Sequence, residues 1–129
     1  MAHESAPLTA LADDFMKAFN DQDFEAVMAF FTEDAVFESL RGEHCSGKEA
    51  IAAAFKPLLE GANSRFRFDT VDTFEDTEAG KVMTSWTLTI EQNGKSSSLS
   101  GLDLLHFKDG KITHKLAYAK AETPLYTSS

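Results

Sequence analysis

Asp103 is the residue of this sequence best placed for chemistry. It sits in Gly101-Leu102-Asp103-Leu104-Leu105, where every neighbour is apolar or glycine. An ionised carboxylate buried there alone is costly, so it must take up a proton or find a partner. A carboxylate under that constraint is a candidate for acid–base work; the plainer reading turns it outward, to solvent or a subunit interface. Two basic candidates follow on the next expected strand, His114 and Lys115. Histidine is a natural base near neutral pH, whereas a cationic strand residue is more commonly solvated. Hydrophobic alternation alone puts Ile112, His114, Leu116 and Tyr118 on one face, which leaves Lys115 on the other. His44, beside the lone Cys45, is a further base or ligand contact if its loop borders a pocket, and otherwise a surface residue. The four histidines are scattered and no HExxH-type spacing occurs, so neither a metal nor another cofactor is expected. Among the 11 phenylalanines, Phe19, Phe37 and Phe55 could join Trp86 as walls for a flat hydrophobic molecule, or simply fill a core.

The elements that must position these groups are legible from periodicity. Leu8, Leu11, Ala12, Phe15 and Phe19 recur at helical spacing. The turn-prone Asn20-Asp21-Gln22-Asp23 then precedes a short helix with Phe24, Val27, Met28 and Phe31 on one face. Residues 35–40 have the composition of a strand, and Arg41 to Cys45 that of a loop. Ser46-Gly47-Lys48-Glu49 has the form of a capping box opening a third helix through Ile51, Phe55 and Leu59. The second half reads as strands from Arg65 onward, with turns at Asp76 to Gly80, Asn93-Gly94 and Asp109-Gly110. Pro124 and the end from Tyr126 to Ser129 read as a tail. The chain of 129 residues suits one domain, with its core at about residues 8–120. Helices first and strands afterwards predict an α+β fold and exclude a parallel dinucleotide-binding sheet.

The net charge of −9 argues against nucleic acid and anionic membranes as partners. One cysteine excludes an internal disulfide framework. The start, Met1 to Ser5, lacks the features of a secretory signal, and no apolar run approaches the roughly 18 residues of a membrane span. A cytoplasmic location is the expectation.

In this order the motifs resemble the nuclear transport factor 2-like superfamily, in its SnoaL-like polyketide cyclase and ketosteroid isomerase branch. The resemblance rests on Asn20-x-x-Asp23, on Phe30-Phe31-Thr32-Glu33-Asp34-Ala35-Val36-Phe37, and on Gly42 with Gly47-Lys48-Glu49-Ala50-Ile51. Trp86, Gly101-x-Asp103 and Asp109-Gly110-Lys111-Ile112 extend it. It implies a cone-shaped, curved antiparallel sheet closed by three N-terminal helices, with a pocket at the open end. Strand alternation within that fold would line the pocket with Phe37, Ser39, Trp86, Leu88 and Leu99. Phe15, Phe19, Phe55 and Leu59 would close it from the helices, with His44 near its mouth. A homodimer through the outer sheet face is implied too, with Met83, Ser85, Thr87 and Thr89 turned outward.

The resemblance also implies a chemistry and narrows it. SnoaL-type cyclases use an acidic pocket residue for proton transfer, and steroid isomerases keep an aspartate at the place of Asp103 protonated as a hydrogen-bond donor. The isomerase base is replaced here by Ser39, which cannot shuttle a proton near neutral pH without help, and its oxyanion-hole tyrosine by Phe15, which cannot donate a hydrogen bond. The arginine of the epoxide-hydrolase Arg-x-Asp is replaced by Gly101. By the same resemblance Thr113, Lys115, Ala117 and Ala119 point inward, so His114 and Lys115 exclude each other unless the strand carries a bulge. An inward Lys115 could form a proton-transfer couple with Asp103 or a buried salt bridge. The expected function is cofactor-free isomerisation, cyclisation or dehydration of a small hydrophobic carbonyl compound. The alternative is a non-catalytic ligand-binding or protein-association module.

Overall fold

Helix α1 (Leu8–Asn20) forms where the periodic apolar residues stand and buries Ala12, Phe15, Met16 and Phe19. The chain turns at Gln22, which takes a left-handed conformation. Asp23 caps α2 (Phe24–Ala29), its carboxylate accepting from Ala26 N–H at 3.1 Å. These are the coordinates of a computed structural model, which describes residues 7–61, 64–121 and 123. The expected tail from Pro124 and the start from Met1 to Ser5 lie outside the described residues. None of its helices is long and apolar enough to cross a membrane.

Two local expectations are corrected. Phe31 leaves the expected helical face and opens strand β1 (Phe31–Glu38), because it is paired with Ile112. The expected loop at His44 is a short strand, β2 (His44–Ser46), paired antiparallel with β1. That pairing holds Ser46 opposite Val36, so the capping box does not form. Helix α3 (Lys48–Glu60) starts instead behind Gly47, at φ 96°, with no side-chain cap. Gly47 N–H donates to Ala35 O at 2.8 Å, tying the helix start to β1.

The remaining strands are β3 (Ser64–Asp76), β4 (Lys81–Gln92), β5 (Lys95–Lys108) and β6 (Lys111–Ala119). Both two-residue hairpins, Asn93-Gly94 and Asp109-Gly110, have positive φ at both positions, as the twist-matched turn requires. The sheet order is β2-β1-β6-β5-β4-β3. It is a mixed sheet, not the wholly antiparallel one expected, because β1 lies parallel to β6. β3 carries a register shift at Val71 and β6 one at Thr113.

Opposed residues on neighbouring strands share a face. One row on the inner face runs Phe37, Lys115, Leu105, Val82 across β1, β6, β5 and β4. Phe15, Phe19 and Phe55 from the helices join Phe37, Leu105 and Val82 in the main core cluster. A second cluster gathers Met16, Trp86 and Leu88, flanked by Leu40, Phe66, Phe68, Ile90 and Leu99. Two contacts tie α1 to β3. Thr9 N–H donates to Glu75 Oε1 at 2.9 Å, setting a carboxylate at the helix start. Asn20 donates from Nδ2 to Phe68 O at 2.9 Å and accepts Phe68 N–H at 2.8 Å.

Candidate functional site

Asp103 faces the interior and is 1% exposed. Its partner is Lys115, one strand over and diagonal to it, with Nζ 3.4 Å from Oδ1. A long side chain can span that diagonal on one face of a sheet. The ammonium also lies 5.0 Å from the Phe37 ring centroid and 5.8 Å from that of Phe19. Attraction to the two ring faces adds to the carboxylate in offsetting the loss of water around a cation. Thr84 stands opposite Asp103 on β4, buried, its hydroxyl 3.2 Å from that of Thr73.

The choice between His114 and Lys115 is made by the bulge. Lys108 pairs with Lys111 and Phe107 with Ile112, but His106 then pairs with His114, leaving Thr113 over. Ile112 and Lys115 both turn inward as a result. His114 is on the outer face, so the expectation of an inward His114 is corrected. Its ring lies 4.8 Å from that of His106, and its Nδ1 is 3.0 Å from Thr113 Oγ1. Partial burial, then the neighbouring His114 and Lys81, hold His106 below its ordinary value of 6.5.

Trp86 is 1% exposed, and its Nε1–H has no hydrogen-bond partner among the described residues. Its indole meets the Phe68 ring edge-on at 4.9 Å. Gly101, opposite it on β5, is where a side chain would not fit. A Cβ there would stand 2.5 Å from Trp86 Cη2 and 2.3 Å from Tyr118 O.

Of the other expected lining residues, Phe15, Phe19, Phe37, Phe55, Leu59 and Leu88 are buried, and Leu99 packs beside Trp86. Two fall elsewhere. Ser39 lies beyond the end of β1, and its hydroxyl closes the following turn, accepting from Arg41 and Glu43 N–H and donating to Glu43 Oε1. His44 is exposed and bonded to Glu38 at 3.2 Å; these two are register partners on the outer face with Leu116. A groove of about 370 Å³ is lined by Val71, Ser85, Trp86, Gly101, Leu102 and Tyr118 among others, with neither Asp103 nor Lys115 in its lining.

His106 and Met16 were not foreseen from sequence. Only the register makes His106 noteworthy. Met16 lies beside the predicted apolar stripe of α1, where a wider stripe would have included it.

Comparison with known proteins bears on the whole arrangement. The model of the SnoaL-like domain matches residues 12–115. A provisionally named polyketide cyclase from Pseudomonas putida superposes with TM-score 0.79 at 22% identity, covering 88% of this chain and 92% of that one. An epoxide hydrolase of M. tuberculosis, described as LEH-like, gives 0.77 at 18% identity, covering 88% and 82%. An NTF2-like protein of unknown function from Cytophaga hutchinsonii gives 0.69 at 22% identity, covering 92% and 95%. The search of curated proteins found no match.

Proposed function

Because the chain belongs to the SnoaL-like domain family, we propose that it binds a small hydrophobic carbonyl compound and moves a proton on it without a cofactor. On this reading the sheet curves into a cone closed by the helices, the chain acts as one cytoplasmic domain, and two copies associate through their outer sheet faces. The observation that carries the reading is the Asp103–Lys115 pair, held in an apolar interior beside two phenylalanine rings.

The chemistry follows from the two charges. The Asp103 carboxylate takes a proton from the carbon next to the carbonyl, and the electron pair moves onto the carbonyl oxygen. The Lys115 ammonium, or the Trp86 N–H that has no partner among the described residues, stabilises that oxygen. Asp103 then returns the proton to another carbon, which isomerises the compound, or gives it to a β-hydroxyl that departs as water while the enolate electron pair forms the new C=C bond, which dehydrates it. Ser39 has no part in it, its hydroxyl being engaged in its own turn. Phe37, Phe55 and Leu88 supply apolar walls. Epoxide hydrolysis through an arginine beside Asp103 is disfavoured, since Trp86 occupies the space over Gly101.

A non-catalytic binding or association module is the second reading, favoured by Phe15, which offers no donor to an oxyanion, and by the exposed apolar residues of the outer face. The two separate in one experiment. A panel of hydrophobic ketones is titrated against Trp86 fluorescence, and exchange of their α-hydrogens is followed in deuterium oxide. Catalysis gives saturable quenching with exchange, which Asp103→Asn lowers by about 10²–10⁴-fold. Quenching without exchange supports the binder. Exchange that survives Asp103→Asn removes Asp103 from the mechanism.

A further inference from the structure

We propose that His106 and His114 form a two-histidine binding site for a late first-row divalent cation on the outer face of the sheet, with water completing the coordination. The residues are joined by register and not by a sequence motif. The Asp109-Gly110 hairpin and the extra residue Thr113 set them directly opposite each other on β5 and β6.

Their ring centroids are 4.8 Å apart, with the planes tilted by 45°. Two imidazoles bound to one ion at about 2.0–2.1 Å, and at right-angled to tetrahedral angles, would have centroids roughly 4.5–5.3 Å apart. The observed pair already stands at that separation. Both rings are half-buried, so they are partly fixed while remaining open to solvent.

Thr113 supplies the outer support such a site needs. Its hydroxyl lies 3.3 Å from His106 O, which can only accept, and 3.0 Å from His114 Nδ1. With its hydrogen given to the carbonyl, the hydroxyl oxygen accepts Nδ1–H of His114. That tautomer leaves the Nε2 lone pair of His114 free to bind metal. Imidazole ligands suit zinc, nickel and copper, with copper bound tightest of the three.

The charged neighbours work in both directions. Lys81 stands opposite His106 on β4 and opposes a cation, while Asp76 stands opposite Lys81 on β3. From β1 the neighbour of His114 is the neutral Val36.

The test uses the full chain, untagged, with His3→Gln and His44→Gln so that the pair alone supplies imidazole. Calorimetric titration with zinc or nickel chloride should show one ion per chain. Replacing an outer-shell partner of a metal site typically costs about 10–100-fold in affinity, so His106→Gln or His114→Gln should cost no less. Thr113→Val should weaken binding and Lys81→Gln should tighten it. Copper loaded at one equivalent should show two equivalent nitrogen couplings by electron paramagnetic resonance. Absence of saturable binding, or affinity unchanged by His106→Gln and His114→Gln, overturns the proposal. Far-ultraviolet circular dichroism of each variant reports folding independently, and both substitutions lie on the outer face.

Discussion

At the scale of single residues, the interior is governed by one ion pair whose halves cannot be removed separately. Lys115→Met leaves Asp103 buried without its cation and should destabilise the fold by about 3–5 kcal/mol. Asp103→Leu combined with Lys115→Met should recover most of that loss in urea denaturation, since apolar groups of similar volume can replace a buried pair. A double variant no more stable than Lys115→Met would show that the pair is not the origin of the cost. On the outer face, His106 carries a pH dependence of definite sign. Burial, His114 and Lys81 lower its proton affinity in the folded chain, so the unfolded chain binds more protons just below pH 6.5. The stability that the neutral ring contributes is complete above 6.5 and is lost as the pH falls through the depressed value. Melting temperatures should therefore decline on acidification from there, and His106→Gln should flatten that part of the profile; superimposable profiles would contradict it. Asp103 was legible in the sequence because a charge in an apolar run has few places to go. Lys115 was not decidable, because its side depends on an extra residue that no local pattern announces. Gly101 carried a weak signal, a glycine inside a strand, but what approaches it is Trp86 from another strand.

At the scale of elements, Thr113 sets the faces of β6. The extra residue lets Ile112 and Lys115 share the inner side although they are three apart, an odd spacing for a strand. Deleting Thr113 restores plain alternation and keeps both residues inward. Deleting Leu116 turns Ala117 outward and brings Tyr118 to the position opposite Asp103. The first deletion should therefore lower the urea midpoint less than the second, and the reverse order would mean that the bulge serves something other than facing. Helix faces, hairpin turns and the later strands were readable because each depends on a few adjacent residues. The capping box misled because pairing with β1 draws Ser46 into a strand, a long-range event that outweighs a local capping preference. The parallel contact between β1 and β6 joins residues far apart in the chain, where periodicity is silent.

At the scale of the whole molecule, the outer face carries an apolar row. Phe74, Met83, Leu104 and Leu116 are successive register partners across four strands. Val71 and Tyr118 flank it, and with Phe74 they are 51–70% exposed. On the proposed reading this row is where a second copy would pack. If two copies meet there, sedimentation should report a dimer that Leu104→Glu turns into a monomer. A wild-type monomer throughout the accessible concentration range would refute that association. The opposite boundary of the sheet raises a different hazard. β3 ends the strand order, so its outer backbone groups could template pairing with any passing extended chain. Asn20 stands in the way. Its carboxamide gives Phe68 one donor and one acceptor, as a neighbouring peptide group would, and so fills from a helix the place of a seventh strand. Asn20→Ala should leave secondary structure intact yet hasten the rise of light scattering on warming. An unchanged rate would mean that the charges of Arg65, Arg67 and Asp69 guard the edge by themselves. A residue that helps to join α1 to β3 thereby also limits how far the sheet can grow.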